Sequence, residues 1–335
     1  MILLGFSWLS ISDLLEVTRN NIVCENTQSS EQVAQIHTFT AMKFRENIWA
    51  HLAILGANII YGANYSIAKA IMPEYIKPFG FIVLRGIGGT LLFWLFHVLF
   101  IREKVENKDI PKLILGAFLG IAANQMLFFK GLSITTPINA AILMTCTPVL
   151  VLLAATIILK EKITISKVTG IISGIIGAML IIVMGKYFSF GSETMPGDLM
   201  VFINASFFGV YLVMIKPMMK KYHPLTVNKW VFFFGLLMSL PFGWGEAQEI
   251  NWEIMPANIL AGVVFVVVGL SFFAYLFNSF ALSKVSPSTV SIYIYSQPVF
   301  ATTIAIASGN DSLSVLKVVA AVLIFGGVYL VSWGK

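Results

Sequence analysis

One arginine lies deep inside a long apolar stretch of the sequence. Arg85 follows Pro78 by seven residues, which places it roughly 10 Å along a helix that begins at the proline, at about 1.5 Å per residue. In a membrane, a charge at this depth must face the interior of a helix bundle or water. A guanidinium can hold an oxyanion through two parallel hydrogen bonds. We therefore predict that Arg85 either contacts an anionic group of a solute or braces its own helix through carbonyl groups and water.

Uncharged polar and aromatic side chains recur at helical spacing in several other apolar stretches. In lipid such groups face inward, where they join helices or line a cavity. As a set they predict a cavity with hydrogen-bonding and aromatic character, which suits an amphipathic or zwitterionic solute. The residues predicted to bind the solute, besides Arg85, are Asn58, Tyr61, Asn64, Tyr65, Asn124, Gln125, Thr145, Thr147, Asn204, Tyr211, Tyr275, Asn278, Tyr295 and Gln297.

Two prolines lie near the middle of apolar stretches. Because proline has no amide hydrogen, Pro148 and Pro298 each free the carbonyl four residues earlier, at Met144 and Ile294, and bend the helix. We predict a paired hinge that also offers polar groups to a solute. The alternative is a pair of kinks that neighbouring helices satisfy without a ligand.

Motifs for catalysis or metal binding are missing from the sequence. It has no glycine-rich loop followed by lysine that could bind a phosphate, and no HExxH segment. It also has no histidine or cysteine residues at the spacing that metal sites require. Its two cysteines, Cys24 and Cys146, are far apart and predict no disulfide framework. We predict no catalytic residue, no metal and no cofactor. A membrane-embedded enzyme and a lipid-handling or structural membrane protein are the alternatives to the function proposed below.

Composition assigns the chain to the membrane. The mean hydropathy is +0.86, and 58% of the residues are hydrophobic whereas 11% are charged, against about 25% charged residues in soluble proteins. A helix that crosses a bilayer needs about 20 apolar residues, and a backbone exposed to lipid must be helical to satisfy its own hydrogen bonds. We predict an all-α polytopic membrane protein with ten transmembrane helices, at residues 49–71, 78–101, 111–130, 138–159, 166–184, 197–215, 226–244, 257–280, 288–308 and 313–333.

Part of the sequence occurs twice. Residues 131–180 recur 150 positions later, at 281–330, with 11 identities in 50 positions and no gap. The matched pairs include Pro148 with Pro298 and Gly177 with Gly327. A duplication in a membrane chain points to a transporter fold. Because each half has an odd number of predicted spans, five, the second half must enter the membrane upside down. We predict two inverted five-helix repeats, residues 49–185 and 197–334, after an N-terminal segment of residues 1–48.

Positive charges predict the orientation of the chain. With the N-terminus in the cytoplasm, 15 of the 22 Lys and Arg residues fall in cytoplasmic segments and 4 in external ones. This excess favours cytoplasmic N- and C-termini in a plasma (inner) membrane. The net charge of +6 thus reports orientation, and we predict no nucleic-acid partner. Residues 1–41 are expected to be disordered or an over-extended start, with a surface-lying or signal-like segment as the alternative.

Several segments occur in an order that is typical of one family. They are Tyr61 to Lys69 (Tyr-Gly-Ala-Asn-Tyr-Ser-Ile-Ala-Lys), Pro78 followed by Arg85, the run from Asn139 through Pro148 to Glu161, and Gly170 with Gly177. Together with the two five-helix halves, they resemble the EamA-type carriers of the drug/metabolite transporter superfamily over residues 49–333. Two positions depart from that family: Tyr61, where tryptophan is more usual, and Asp311, where glutamate is frequent. The resemblance implies a ten-helix carrier that moves a small metabolite, often outward, through a central cavity between the halves.

These observations predict a secondary transporter for a small amino acid-like, amphipathic or anionic metabolite. We expect an exporter that works by alternating access, with the solute and the bilayer as its partners. The interiors of the predicted spans contain no Asp or Glu, which disfavours a mid-membrane carboxylate for a coupling proton and leaves facilitated diffusion, exchange or another coupling group. Glycines four residues apart, such as Gly170 and Gly174, allow close helix contact, either within one chain or at a homodimer seam.

Overall fold

The computed structural model describes residues 48–64, 67–68, 70–72, 74–135, 140, 143–183, 193–307 and 314–333. All regular secondary structure in these ranges is helical. The predictions for residues 1–47, for Tyr65 and for the loop that contains Asp311 concern residues outside them. The helices are α1 (residues 48–64), α2 (Pro78–Phe100), α3 (Asn107–Ile134), α4 (Thr147–Leu159), α5 (Ile165–Val183), α6 (Met195–Lys221), α7 (Pro224–Gln248), α8 (Ala257–Lys284), α9 (Pro287–Ile292), α10 (Gln297–Ala307) and α11 (Val315–Trp333).

Six of these helices are long and apolar enough to cross a membrane: α2, α3, α6, α7, α8 and α11. The apolar stretches Thr147–Leu159 and Ile165–Leu180, in α4 and α5, are shorter. In the described ranges the protein is therefore all-helical, with several membrane-length helices. The count of ten crossings stays a prediction, because some of the predicted spans include residues outside the described ranges.

The duplication seen in the sequence is also present in the helix boundaries. α3 and α8 begin and end 150 residues apart, as do α5 and α11. Both α3 and α8 contain a wider π-helical segment, at Phe118–Ala122 and Phe265–Ala274. Such π segments are rare and are frequent at functional sites. The repeat has therefore preserved an unusual backbone detail as well as the length of the helices.

Hydrogen bonds connect residues that match each other in the two repeats. Ser173 Oγ donates to the Leu323 carbonyl at 2.8 Å across 150 positions, and Tyr295 Oη donates to the Thr145 carbonyl at 3.0 Å, again across 150 positions. If a two-fold axis relates the halves, matching residues can touch only beside that axis. These bonds indicate where such an axis would pass.

Close glycine contacts give the direction of matching helices. A Cβ atom on Gly170 of α5 would lie 2.7 Å from the Gly327 carbonyl of α11, and one on Gly177 would lie 2.7 Å from the Ala320 carbonyl. As the residue number rises in α5 it falls in α11, so the two helices run antiparallel. The predicted role of these glycines in close packing is thus fulfilled by contacts within the chain.

An aromatic cluster joins the helices that surround Arg85. The ring of Phe93 in α2 lies 5.0 Å from that of Phe232 in α7 and 4.8 Å from that of Phe272 in α8, centroid to centroid. All three rings are buried, and such aromatic pairs are stabilising beyond the area they bury. The cluster fixes α2 against α8, which is the contact that positions Arg85.

The two repeat-matched prolines begin helices. Pro148 is the second residue of α4, which follows a turn at Thr145 and Cys146, and Pro298 is the second residue of α10, which follows the 3₁₀ segment Tyr293–Ser296. The first turn of a helix tolerates proline because its amide would be unpaired there. The structure therefore has an interruption at each proline, where the sequence predicts a bend within one continuous helix.

Candidate functional site

A cavity of about 130 Å³ lies between the helices. Side chains of both repeats contribute to its wall. The predicted site residues that line it are Asn58, Tyr61, Asn64, Arg85, Asn124, Gln125, Asn204, Tyr275, Asn278 and Gln297.

Arg85 is the cationic group of this cavity. Its side chain is buried, with 5% of the residue exposed, and its Nε atom donates to Ser271 Oγ at 3.1 Å. The centre of the guanidinium, Cζ, lies 5.6 Å from the centroid of the Phe129 ring, within the range of a cation–π contact. None of the ion pairs formed by the described residues includes Arg85. Its terminal nitrogen atoms therefore keep their capacity to bind an acceptor.

Amide side chains on the wall are partly used in bonds between helices. Asn124 Nδ2 donates to the Asn204 carbonyl at 3.2 Å, and Asn204 Nδ2 donates to the Asn124 carbonyl at 2.7 Å. Gln297 Nε2 donates to Asn58 Oδ1 at 2.8 Å, which ties α1 to the start of α10. These amides hold α3 against α6 and α1 against α10.

Three amide oxygens on the wall have no partner among the described residues. They are the Oδ1 atoms of Asn64, Asn204 and Asn278, all buried. A buried polar atom without a partner lowers stability by roughly 1–3 kcal/mol. A hydrogen-bond donor placed near these oxygens would remove that cost. A ligand with N–H or O–H groups would supply such a donor.

Four of the predicted site residues do not line the cavity. Tyr295 donates to the Thr145 carbonyl and packs against Gly174 of α5. Tyr211 packs against Gly120 of α3, where a Cβ atom would lie 2.6 Å from its ring, and Thr147 is fully buried. The two tyrosines pack between helices behind the wall because a glycine opposite each of them leaves space for its ring. The fifth remaining residue, Tyr65, lies outside the described ranges.

Apolar residues complete the wall, and reasoning from polar groups missed them. They include Met144 and Ile294, the two positions whose carbonyls lie four residues before Pro148 and Pro298. The proline spacing was the signal that could have identified them. The others are Ile54, Phe128, Phe129, Phe208, Leu212, Leu270 and Val290. With them the cavity is amphipathic, because one cation and several amides lie among aromatic and aliphatic groups.

Two lysines that the orientation prediction counts among the cytoplasmic charges, Lys216 and Lys229, are buried. Lys216 Nζ donates to the carbonyls of Leu282 and Val285 at the end of α8, the latter at 2.7 Å. Lys229 Nζ lies 3.3 Å from His97 Nδ1 and above the rings of two tryptophans. A cation at a helix C-terminus is favourable because the last carbonyls are unpaired. These two charges hold helices together and carry less weight as orientation signals.

Acidic and basic side chains connect the C-terminal end of α6 with the loop after α2 and the first turn of α3. Lys221 Nζ lies 2.6 Å from Asp109 Oδ2 and 2.7 Å from Glu106 Oε1. Hydrogen bonds from Lys108, which has the larger effect, and from Lys221 lower the pKa of the Glu106 carboxyl. This network lies apart from the cavity wall. Within the part of the chain that the structure describes, no group of three His, Cys, Asp or Glu side chains could hold a metal ion.

Comparison with known proteins places the chain in a family. The model of the EamA-like transporter family matches it twice, at residues 48–183 and 195–333. The chain belongs to the EamA-like transporter family. Membership in this family indicates a multi-pass membrane transporter, and it agrees with the resemblance seen in the sequence.

Two relatives of this EamA-like chain are themselves described as transporters. An uncharacterized transporter of Bacillus subtilis, YyaM, is 26% identical over 289 residues, which cover 84% of this chain and 93% of the relative. An uncharacterized transporter of Archaeoglobus fulgidus is 24% identical over 288 residues, covering 85% of this chain and 97% of the relative. A WAT1-related protein of Arabidopsis thaliana is 22% identical over 302 residues, with 82% and 83% coverage. A crystal structure with 17% identity superimposes with a TM-score of 0.70 over 84% of this chain and 97% of that one, which shows the fold alone.

Proposed function

We propose that this EamA-like protein is a secondary transporter for a small amino acid-like or related amphipathic solute that carries an anionic group. The single observation that supports this most is Arg85: a buried cation on the wall of the central cavity with one neutral hydrogen-bond partner, Ser271. A charge without a counter-ion in the membrane interior is costly and usually functional. An anionic group of the solute would supply the missing partner through a bidentate contact.

The amide oxygens support a second feature of the solute. Asn64, Asn204 and Asn278 present unpaired Oδ1 atoms on the same wall as Arg85. Carbonyl oxygens accept hydrogen bonds from ammonium or other N–H groups. Phe128, Phe129 and the aliphatic residues of the wall suit an apolar side chain. An amino acid has all three features, and we propose this class of solute for that reason.

The proposed mechanism is alternating access between two inverted five-helix repeats, residues 49–185 and 197–334, with ten membrane crossings in all. The antiparallel packing of α5 against α11 supports the inversion, because matching helices of inverted repeats run in opposite directions. The interruptions before Pro148 and Pro298 support a paired hinge, since Met144 and Ile294 next to them line the cavity. Broken helices at the interface of inverted repeats are typical of carrier binding sites.

The remaining parts of the proposal concern orientation and assembly. Export across a plasma (inner) membrane, with both termini in the cytoplasm, rests on the distribution of Lys and Arg in the sequence. We take residues 1–48 as an extension that precedes the first repeat. Exposed apolar faces of α5 and α11, with Ile172 and Val322 about half or more exposed, suit lipid or a second copy of the chain.

The decisive experiment compares metabolites inside and outside cells that produce the protein, the Arg85→Ala variant or neither. We expect a small set of amino acid-like or anionic compounds to be enriched outside only the cells with the unchanged protein. Membrane insertion of the variant, measured by fractionation, is the control. Full export by Arg85→Ala would reject the anion-binding role. Accessibility labels at each terminus test the topology, and termini on opposite sides of the membrane would reject the inverted repeats.

A further inference from the structure

Ser271 forms the hydrogen bond that orients the Arg85 side chain. We infer that Ser271 is a positioning residue, which turns the terminal nitrogen atoms of Arg85 toward the cavity so that they can bind an oxyanion of the solute. The inference rests on the proposed function, since it assigns to Ser271 the orientation of the anion-binding group. Ser271 is not exposed and does not line the cavity itself, so its effect must act through Arg85.

The direction of the hydrogen bonds leaves the serine as an acceptor for Arg85. Ser271 Oγ donates its proton to the Val266 carbonyl at 3.1 Å. A hydroxyl has one proton and two lone pairs, so the lone pairs remain for Arg85 Nε, at 3.1 Å. The serine is thereby held in one orientation by its own helix. It fixes the Nε edge of the guanidinium and leaves the opposite edge free.

The π-helical segment of α8 explains why this serine faces α2. Val266 lies five residues before Ser271, which is the spacing of a π turn, and both belong to the segment Phe265–Ala274. A π turn contains one residue more than an α turn, so it rotates the residues after it by about 100° relative to an uninterrupted α-helix. An α-helical α8 would point Ser271 away from this direction. The wider turn thus has a local role at the binding site.

The cation–π contact with Phe129 supplies the second constraint on Arg85. The ring lies 5.6 Å from the guanidinium carbon, so it restricts movement of the guanidinium on that side. With the Nε edge held by Ser271, the two terminal nitrogen atoms form a fork. A fork of this kind matches the two oxygens of a carboxylate. The geometry therefore favours solutes with a planar carboxylate, held at one orientation.

The test measures how strongly the cavity attracts an anion, without knowledge of the natural solute. Met144 lines the cavity, so Met144→Cys in a Cys24→Ser, Cys146→Ser background places a single thiol there. Its rates of modification by sulfonatoethyl (anionic) and trimethylammonioethyl (cationic) methanethiosulfonate are measured in the purified full-length protein. Each rate is divided by the rate at which the same reagent modifies a free thiol in solution. Ile294→Cys, at the matching wall position, gives a second measurement.

With Arg85 and Ser271 in place, we expect the ratio of anionic to cationic rates to be at least about 5-fold above that of a free thiol, because a nearby unit charge attracts the anion. Arg85→Gln should abolish this preference, and Ser271→Ala should reduce it by about half or more. Ser271→Thr keeps a hydroxyl and should restore it. Ser291→Ala is the matched control: Ser291 is equally buried but donates only to the Ser288 carbonyl, so the ratio should not change.

The outcomes separate this inference from the proposed function. A preference that is lost in Arg85→Gln but unchanged in Ser271→Ala would overturn the role of Ser271 and leave the anion site in place. A preference that is missing in the parent protein, or that survives Arg85→Gln, would overturn the anion site itself. If Ser271→Ala is not folded, judged by elution in detergent, Ser271→Val takes its place, because valine has nearly the volume of the threonine in Ser271→Thr but no hydroxyl. It should then lower the ratio in the same way.

Discussion

The π-helical segments of α3 and α8 occupy matching positions, yet they pack against different chemistry. In α8, Ser271 bonds to Arg85 of α2. In α3 the matching residue is Ile121, which is buried and packs against Gly235 of α7. The backbone detail is common to both repeats, whereas the polar contact exists in one. The duplication thus supplied two equivalent positions, and we interpret one as the site for an anion and the other as part of the packing.

The asymmetry is reversed at the amides of α3, where the polar residue lies in the first repeat. Asn124 exchanges hydrogen bonds with Asn204 of α6, while the matching residue of α8, Ala274, is fully buried and apolar. The cavity is therefore asymmetric, although the helices around it are repeated. A solute with different groups at its two ends would bind in one orientation in such a cavity.

The largest effect on export is expected from substitution of Arg85, which contacts the π-helical segment of α8. Arg85→Gln should lower export of the solute identified by the metabolite comparison by at least about 30-fold, because losing one partner of a buried, hydrogen-bonded charge pair costs about 2–5 kcal/mol. Arg85→Lys keeps the charge but has no fork, and it should restore only part of the rate. Export is measured in cells with equal amounts of each variant in the membrane. Equal rates for all three proteins would contradict the assignment.

Substitution in the π-helical segment of α3 should lower the stability of the protein instead. Ile121→Ala removes buried methyl groups that pack against Gly235 and should lower the free energy of unfolding by about 2–4 kcal/mol. Thermal unfolding in detergent shows the loss as a lower Tm. The ratio of thiol modification rates described above should stay at the parent value. A changed ratio with an unchanged Tm would reverse the roles assigned to the two π segments.

Neighbouring glycines of α11 test the contact between matching helices α5 and α11. A Cβ atom on Gly327 would lie 2.5 Å from the Gly170 carbonyl, whereas one on Gly326 would meet nothing within 4 Å. Gly327→Ala should therefore cost about 1–3 kcal/mol through overpacking. Gly326→Ala, the matched control one residue away, should be neutral or slightly stabilising, since alanine favours the helix. Similar Tm values for the two variants would show that α5 and α11 are not in close contact.

A small effect is expected at a bond between matching residues. Gln125 Nε2 donates to Tyr275 Oη at 3.3 Å across 150 positions. Tyr275→Phe removes the acceptor, and this long, neutral bond should contribute at most about 1 kcal/mol. Export should change by less than about 5-fold for the same reason. Tyr75→Phe, at a position outside the cavity wall, is the control. A loss as large as that of Arg85→Gln would assign Tyr275 a direct role with the solute.

Much of the architecture could be predicted from the sequence. Apolar length identified the membrane helices, and matched prolines and glycines identified the repeat, because both signals are local or periodic. Arg85 could be singled out because a charged side chain in an apolar stretch must face the interior of the helix bundle or water. Ten of the predicted site residues line the cavity. Tyr211 and Tyr295 do not, because glycines on other helices accommodate their rings. The sequence around each tyrosine does not indicate which distant glycine it will pack against.

The sequence by itself determined the class of protein, the duplication and the presence of an isolated buried charge. These follow from composition and spacing, which do not depend on how the helices are arranged. Only the tertiary structure decided which prolines interrupt a helix: Pro217 and Pro241 lie within continuous helices, whereas Pro148 and Pro298 begin new ones. It also decided that Ser271 faces Arg85, because that contact depends on a π turn and on the packing of α2 against α8. Both depend on neighbours distant in the chain, to which local sequence patterns are insensitive.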